Sequence, residues 1–309
     1  MRKTSLESVY RLAKLDKRVL FIGSDLGSGV LEDMKVELPN QWFMEGVSEQ
    51  HIIGMAAGLA MEGFIPYVNT ISTFVTRRCY EQVFVDVSLH DLPVRLIGNG
   101  GGLVYAPLGP THQAIEDLGI MRIIPKMTVI APCDAVEMKH LMNATLSWPG
   151  PIYIRLGKGG DKIISNNNYR YEIGKGVLLR EPRQVLFVTT GVMAQRALDA
   201  ADLLEDQGIV SGVLHLHTVK PLDDQLLLAS MQNVELVVTL EEHLLEGGLG
   251  AAILETVSDR VPGNIPRIKR LGISGEFTKE YGSQDSLLKS LGLDPISIAD
   301  TVKETLCAS

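Results

Sequence analysis

The sequence has few cysteines, and none of them is paired at a spacing used for metal binding or redox chemistry. Cys79, Cys133 and Cys307 are odd in number and widely separated, with no C-x-x-C pair. This pattern predicts reduced thiols, with neither a disulfide framework nor a zinc site. We therefore expect a cytoplasmic protein whose own side chains form no metal site.

Long apolar runs and runs of like charge are also missing. No apolar stretch approaches the length of a membrane span, and Met1–Ser5 leads into an amphipathic helical pattern instead of a signal peptide's apolar core. The net charge is -8 and the sequence pI is about 5.4. These values argue against nucleic acid or an anionic membrane as the main partner, so we expect small-molecule partners.

What the sequence does contain is a repeated alternation of apolar strands and helices. The 309 residues are 45% hydrophobic and 21% charged, which suits an ordinary globular protein with room for two domains. Strands that are almost wholly apolar predict parallel sheets covered on both faces. We predict an α/β fold of two domains, each a mostly parallel sheet covered by helices. The predicted bounds are 1–160 and 179–309, joined by a polar linker at 161–178.

Glu49 is a charged residue in an unusual place. The apolar run Trp42–Met44 suits a buried strand, and a helical pattern begins just after Glu49. A carboxylate at such a junction, beside an apolar helix, is costly unless it has a function. Capping the helix is the commoner explanation, and local sequence alone favours it.

Loops that follow the predicted strands are the other candidates, because such loops line ligand crevices in parallel sheets. The loop Ser24–Gly29 contains Asp25, but its glycine spacing fits no phosphate-binding pattern, and an ordinary turn explains it equally well. The loop Asn99–Gly109 is glycine-rich, nearly uncharged and long, which indicates a functional loop. Pro110 then predicts the start of a new helix.

An ordered set of short segments resembles the transketolase family of thiamin-diphosphate enzymes, which includes deoxyxylulose-phosphate synthases. The set covers nearly the whole chain in the family's order and corresponds to the pyrimidine-binding domain plus the C-terminal domain. Its members are Gly46-Val47-Ser48-Glu49-Gln50-His51, Ala56-Ala57-Gly58-Leu59-Ala60, Ser72-Thr73-Phe74, Gly109-Pro110-Thr111-His112-Gln113 and Glu241-Glu242-His243 with Gly247-Gly248.

The resemblance implies a role for each matching residue. Glu49 would contact the ring nitrogen of the cofactor's aminopyrimidine and promote its imino tautomer. Phe74 would stack on that ring, and Asp25 lies in a loop expected to reach the cofactor. His112 would hydrogen-bond a hydroxyl or carbonyl oxygen of the substrate. Without the family context, a core phenylalanine and a structural histidine are equally good or better explanations.

The resemblance also suggests which side chains meet an anionic group of the substrate. Arg77 and Arg155 could pair with a phosphate or carboxylate, although a surface role explains Arg77 nearly as well. Lys158 stands where the family often has an arginine, and a lysine makes a less specific contact with such a group.

One departure from the family concerns the cofactor's diphosphate. The family holds the diphosphate and Mg²⁺ on a separate domain with a Gly-Asp-Gly motif, and this sequence contains none. Asn166-Asn167-Asn168 cannot replace it, since no such motif precedes that run. Because Met1 begins a predicted helix, we expect a complete gene product of a split enzyme. An N-terminal subunit would supply the motif, two of each chain would form an alpha2beta2 heterotetramer, and this chain alone would be inactive.

A second departure concerns the substrate. Transketolases proper have an aspartate shortly before the Gly-Pro-Thr-His-Gln motif, where this chain has Pro107-Leu108. The stretch Gly100–Tyr105 also lacks the expected polar residues. An apolar side chain cannot replace a buried hydrogen bond, so the sequence does not predict the usual ketose-phosphate donor.

The sequence therefore supports three hypotheses. The leading one is a subunit that transfers a two-carbon ketol unit from a ketose to an aldehyde. A second is a deoxyxylulose-phosphate-synthase-like subunit or the beta-type subunit of a 2-oxo-acid dehydrogenase. The third, from another class, is a non-catalytic stabilising or regulatory partner, which would have no need to keep Glu49, Phe74 and His112 together.

Overall fold

The computed structural model describes residues 1–26, 28–166, 169–261 and 265–308. The predicted loop residue Gly27 and the linker residues Asn167 and Asn168 lie outside that part of the chain. The strands assigned within it are β1 Val19–Gly23, β2 Trp42–Met44, β3 Ile65–Ile71, β4 Arg95–Asn99, β5 Thr128–Ile130, β6 Ile152–Leu156, β7 Val177–Arg180, β8 Val185–Thr189, β9 Ser211–His215, β10 Thr218–Lys220, β11 Leu236–Leu244 and β12 Arg267–Ile273.

Helices separate most of the strands. The α-helices are α1 Arg2–Leu15, α2 Glu32–Glu37, α3 Glu49–Met61, α4 Tyr80–Gln82, α5 Asp117–Arg122, α6 Ala135–Thr145, α7 Met193–Glu205, α8 Asp224–Ser230, α9 Leu249–Arg260, α10 Gln284–Ser290 and α11 Pro295–Cys307. The short α4 lies between two π-helical stretches, Phe74–Arg78 and Val83–Ser88. No helix in the described ranges is long and apolar enough to cross a membrane.

The strands form two sheets, and both are mostly parallel. The first has the order β10-β5-β6-β4-β3-β1-β2, and the second has the order β12-β11-β8-β9-β7. Only β10 and β7 run antiparallel to their neighbours among the described strands. The predicted fold class is confirmed. One connection was not predicted: β10 follows β9 of the second sheet but pairs with β5 of the first, with Thr218 opposite Ile130.

Apolar strands are buried because helices cover both faces of the first sheet. Every residue of β1, β4 and β6 is buried. One face packs against α1 through Leu6, Val9 and Leu12, and the other packs against α3 through Ile52 and Ile53. Apolar burial of this kind stabilises the fold by about 25 cal/mol per Å², and it fixes the sheet that carries the site.

Two local predictions differ from the structure. Pro110 does not start a helix; it lies in a turn, and α5 begins only at Asp117. The Gly102 N–H donates to the carbonyl of Ala114 at 2.9 Å, and the Ala114 N–H donates to the carbonyl of Gly102, so this backbone pair takes the place of a helix. The predicted end of the linker at residue 178 falls inside β7, which begins at Val177.

Candidate active site

Glu49 is the first residue of α3 and lies at the carboxyl edge of the first sheet, next to the end of β2. Its side chain is only 2% exposed. The connection from β2 turns at Gly46, whose φ of +70° favours glycine. Oε2 of Glu49 accepts a hydrogen bond from Nη1 of Arg78 at 2.6 Å, and this is its one partner among the described residues. A buried carboxylate with one bound oxygen keeps the other for a ligand.

Arg78 connects Glu49 to the aromatic residues of the site. Its guanidinium carbon lies 4.2 Å from the centroid of the Phe74 ring, a cation–π distance. The Phe74 ring meets the His112 ring edge to face, with the centroids 5.2 Å apart. Glu49, Arg78, Phe74 and His112 therefore form one continuous chain of contacts. Sequence reasoning missed Arg78, and the signal available was the pair of consecutive arginines after Phe74.

The loop that carries His112 is held by the second half of the chain. Leu103, Ala106 and Ile115 are buried in the same apolar cluster as β8 and β11. The backbone N–H of Leu103 donates to Oε1 of Glu242 at 2.8 Å. The loop is apolar because it packs into that core, which explains the polar residues missing from Gly100–Tyr105.

A glycine makes that close packing possible at one position. Gly102 has φ of +65°, and a Cβ there would lie 2.4 Å from the Glu242 carboxyl carbon. A side chain at Gly102 would therefore collide with the residue that anchors the loop.

Leu108, which stands in the region of the family's donor-binding aspartate, is 52% exposed. Leu108 therefore does not occupy a buried position at which a polar side chain would be needed.

Asp25 follows β1, the neighbour of both β2 and β3, so it lies at the same sheet edge as Glu49 and Phe74. Its carboxylate is exposed and accepts a hydrogen bond from the Ser24 hydroxyl at 3.0 Å. Behind it is a buried polar network that was not predicted. The Asn99 amide donates to Oδ1 of Asn69 at 2.8 Å, and the Ser24 and Thr70 hydroxyl oxygens lie 2.9 Å apart.

Arg77 is tied to the His112 loop. Its guanidinium forms an ion pair with Glu116 and donates to the carbonyl of Gln113. The side chain remains partly exposed and lines a cavity of about 340 Å³ together with Leu244 and Phe277. The predicted contact with a substrate anion would have to compete with Glu116.

The family resemblance predicts that Arg155 binds the substrate, but in the structure its side chain is bound to other groups of the protein. It is 7% exposed, its Nε lies 3.2 Å from Asp117 Oδ2, and its Nη2 donates to the carbonyl of Glu242 at 2.7 Å. Burial works against the charge, but Asp117 and Glu242 outweigh it and raise the pKa of Arg155 above its usual value. Its Nε and Nη2 are thus bound within the protein, and the Nη2 contact joins the two halves of the chain.

Lys158 lies apart from Glu49. It follows β6, which is four strands from β2 in the sheet, a separation of roughly 19 Å along the edge. The side chain is exposed and lines a cleft of about 330 Å³ with Lys162, Arg196 and Asp285. The structure thus places Lys158 at the same sheet edge as the other predicted residues but not in contact with them.

Comparison with known proteins fits this geometry. The family description "Transketolase, pyrimidine binding domain" matches residues 1–160, and "Transketolase, C-terminal domain" matches residues 174–298. The chain belongs to the transketolase family. A chain from Methanocaldococcus jannaschii described as a transketolase C-terminal section is 34% identical, and the match covers 99% of this chain and 96% of that one.

Two further proteins of the transketolase family are similar to nearly the whole of this chain. A solved split-gene transketolase, described as an inactive beta4 tetramer, superimposes with a TM-score of 0.89 at 32% identity, covering 99% of this chain and 97% of that one. A 1-deoxy-D-xylulose-5-phosphate synthase from Geobacter sulfurreducens is 36% identical over 98% of this chain. This chain spans only 47% of that synthase's length.

The transketolase cofactor can be tested against the residues present. Glu49 offers an oxygen for the aminopyrimidine, and Phe74 is partly exposed beside it, so the pyrimidine half of thiamin diphosphate fits. Among the described residues, the one group of three possible metal ligands is Cys133, Glu137 and His215. Mg²⁺ prefers oxygen ligands, so this group does not fit the magnesium that accompanies the diphosphate.

Proposed function

We propose that this chain is the C-terminal section of a split thiamin-diphosphate-dependent transketolase, a transferase that moves a two-carbon ketol unit from a ketose to an aldehyde in the cytoplasm. The observation that carries the proposal is the contact chain from Glu49 through Arg78 and Phe74 to His112. A non-catalytic partner has no need for a buried carboxylate, an aromatic face and a histidine in contact at one sheet edge.

When bound, thiamin diphosphate supplies the carbon nucleophile that attacks the ketose carbonyl. The residues of this chain orient it and hold protons. Glu49 shares a proton with the pyrimidine ring nitrogen from a position almost free of water, which strengthens that hydrogen bond. Phe74 offers a ring face for stacking, and Arg78 fixes the carboxylate and the ring relative to each other. His112 hydrogen-bonds an oxygen of the substrate.

The diphosphate and Mg²⁺ belong to a partner chain in this proposal. This sequence has no Gly-Asp-Gly motif, and the described residues provide no all-oxygen group of three metal ligands. The similar split-gene protein was inactive as a tetramer of one chain type. We infer an alpha2beta2 heterotetramer in which this chain is inactive without its N-terminal partner, and in which Asp25 borders the cofactor.

The substrate in this proposal is an anionic ketose. Lys158 and Lys162 supply positive charge to the cleft beside β6, although acidic side chains also line it (Asp161, Asp199 and Asp285). Arg77 and Arg78 are partly exposed cations near His112. The anionic group could be a phosphate or another acid. Arg155 is no part of this proposal, because its charge is satisfied internally.

The test is Glu49→Gln in the complex reconstituted with the N-terminal partner. Because the amide keeps the size but cannot hold the proton, we expect ketol transfer to fall by about 10²–10⁴-fold. Glu45→Gln is the matched control, since Glu45 lies in the same connection, is exposed, and has its carboxylate 4.0 Å from His51 Nε2. Unchanged turnover in Glu49→Gln would instead support a stabilising or regulatory role.

A deoxyxylulose-phosphate-synthase-like reaction is the second candidate, because the synthase relative is as similar as the transketolase section. The donor substrate distinguishes the synthase-like reaction from ketol transfer. The reconstituted complex should release an aldehyde product from a ketose donor and no carbon dioxide from pyruvate. Carbon dioxide release with pyruvate would favour the synthase-like reaction or, with an acyl acceptor, a 2-oxo-acid dehydrogenase.

A further inference from the structure

A second group of chemically active side chains lies far from Glu49, where the two halves of the chain meet. In the first half, Cys133 lies two residues before α6 and Glu137 lies in its first turn; His215 comes from the end of β9 in the second half. Their ligand atoms all lie within 4.8 Å of one another, and all three side chains are buried. The Cys133 N–H donates to Glu137 Oε2 at 2.6 Å, and His215 Nε2 lies 2.9 Å from the same oxygen.

Several polar atoms of this group lack partners. Glu137 Oε1, His215 Nδ1 and His217 Nε2 are buried and have no hydrogen-bond partner among the described residues. His217 is adjacent, with its ring centroid 6.0 Å from that of His215, and its Nδ1 is bound to Thr218. Leaving a buried polar atom unpaired costs about 1–3 kcal/mol, so three at one place indicate a missing ligand.

We propose that Cys133, Glu137 and His215 form a divalent-metal site of the zinc class, with His217 or a water as the fourth ligand. Thiolate, carboxylate and imidazole are all ligands that Zn²⁺ accepts, and four-coordinate Zn²⁺ holds its ligand atoms roughly 3.3–3.8 Å apart. The most widely spaced ligand atoms would have to approach by about 1 Å, while Glu137 Oε2 and His215 Nε2, 2.9 Å apart, would have to separate slightly, and side-chain rotation can supply both shifts.

Charge balance supports the assignment. A thiolate and a carboxylate cancel the two positive charges of the metal, while the imidazole is neutral, so the loaded group is uncharged in the interior. Binding releases the Cys133 thiol proton to solvent. Cys133 also lines the cleft of about 330 Å³ beside Lys158, which gives a metal ion a route from the surface. The site would join the two halves of the chain independently of the proposed reaction.

The cysteine pattern predicted no zinc site because its criterion is the spacing between cysteines. Here the ligand pair Cys133 and Glu137 is four residues apart, but the histidine is 78 residues further along the chain. Only the tertiary contact between His215, at the end of β9, and Glu137, in α6, brings them together.

The test is a titration of the full chain, stripped with a chelator and kept free of Mg²⁺, with Co²⁺ as a spectroscopic probe for Zn²⁺. We expect one equivalent of Co²⁺ per chain, a sulfur-to-cobalt charge-transfer band in the near ultraviolet, and displacement by Zn²⁺. Cys133→Ser and His215→Gln should lose the band and weaken binding by at least about 100-fold. Cys307→Ser, with an exposed thiol, should keep both.

The melting temperature gives a second measurement that does not depend on the spectrum. Zn²⁺ should raise it for the wild type and for Cys307→Ser but leave His215→Gln unchanged, with folding checked by circular dichroism. The proposal is wrong if the wild type shows no sulfur-to-cobalt band. It is equally wrong if the band persists in Cys133→Ser, because the metal would then be held elsewhere.

Discussion

Arg78 is the residue on which the geometry of the site depends most directly. It contacts both Glu49 and Phe74, yet its side chain is 43% exposed, so each contact is partly screened by water. A catalytic carboxylate that points toward a cofactor needs such a support to keep its orientation.

We predict that Arg78→Met weakens thiamin diphosphate binding to the reconstituted complex by about tenfold, equivalent to ~1.4 kcal/mol. The expected cause is the loss of the side chain that holds Glu49 and Phe74 in position relative to each other. The dissociation constant from calorimetry measures this. Arg18→Met removes a comparable exposed ion pair with Asp16 and should leave the constant within about twofold.

The three thiols should differ sharply in reactivity. Burial raises the pKa of Cys79 to about 12, with the nearby Glu49 carboxylate adding to the shift, and burial raises the pKa of Cys133 even further. Since the thiolate is the reactive form, neither thiol should react at pH 8. Iodoacetamide should label one residue in the native chain, the exposed Cys307, and all three after denaturation. Native labelling of Cys79 would contradict the burial seen at the site.

The family resemblance predicted Glu49, Phe74 and His112 as site residues, and the structure links them in one chain of contacts through Arg78. It did not identify Arg78, for a physical reason. The π-helical stretch Phe74–Arg78 has wider turns than an α-helix, so a regular helical period does not tell which of two consecutive arginines faces Glu49.

At the scale of elements, the start of α6 has the most extensive cap in the described chain. The Asp134 carboxylate accepts from the backbone N–H of Val136 and Glu137 inside the helix, and from those of Ile164 and Ser165 in the linker. One side chain therefore both caps a helix and fixes the linker over it.

We predict that Asp134→Ala lowers the free energy of unfolding by about 2–3 kcal/mol, because it loses the cap and leaves linker amides unpaired. The control Asp294→Ala removes a simple cap of α11 and should cost about 1 kcal/mol. Urea denaturation measures both. Equal losses would show that the linker contacts contribute nothing.

The same aspartate gives a pH dependence with a defined sign. Burial alone would raise the pKa of Asp134, but its hydrogen bonds to Ser165, Glu137 and Ile164 outweigh this and hold the pKa below its usual value. Its contribution to stability is therefore present above the ordinary pKa of about 3.9 and is lost as the pH falls through the lower folded value. The difference between wild type and Asp134→Ala should shrink below about pH 4.

Element prediction succeeded where the pattern was long and failed where tertiary contacts decided. The strands β1, β4 and β6 follow from their apolar sequences. The helix predicted at Pro110 is absent because Gly102 and Ala114 pair instead, and that pairing depends on Glu242, more than 120 residues away. No local signal in the sequence contains that information.

At the scale of the whole molecule, the two halves are joined by buried polar residues. Arg155 reaches the carbonyl of Glu242, and Nε2 of His243 accepts from the N–H of Gly119 at 3.0 Å. The Leu244 N–H donates to the carbonyl of Ile115 at 2.8 Å, and β10 extends the first sheet. In the motif Glu241-Glu242-His243, the last two residues bind the first half of the chain, while the Glu241 carboxylate accepts from the backbone N–H groups at the start of α9.

We predict that Arg155→Met destabilises the chain by about 3–5 kcal/mol, since Asp117 would be left buried without its cationic partner, although the Tyr153 hydroxyl would still donate to it. The loss should weaken the junction, so that one calorimetric unfolding transition separates into two. Arg180→Met, which breaks ion pairs with Asp202 and Glu205 inside the second half, should keep a single transition. A single transition in both variants would show that Arg155 does not couple the halves.

The central claim is that this chain supplies the pyrimidine half of a shared thiamin diphosphate site. Its most direct test is calorimetric titration of thiamin diphosphate with Mg²⁺ into this chain alone, into its N-terminal partner alone, and into the mixture. We expect tight binding only in the mixture, and we expect Glu49→Gln to abolish it. Tight binding to this chain alone, or no binding in any combination, would contradict the claim.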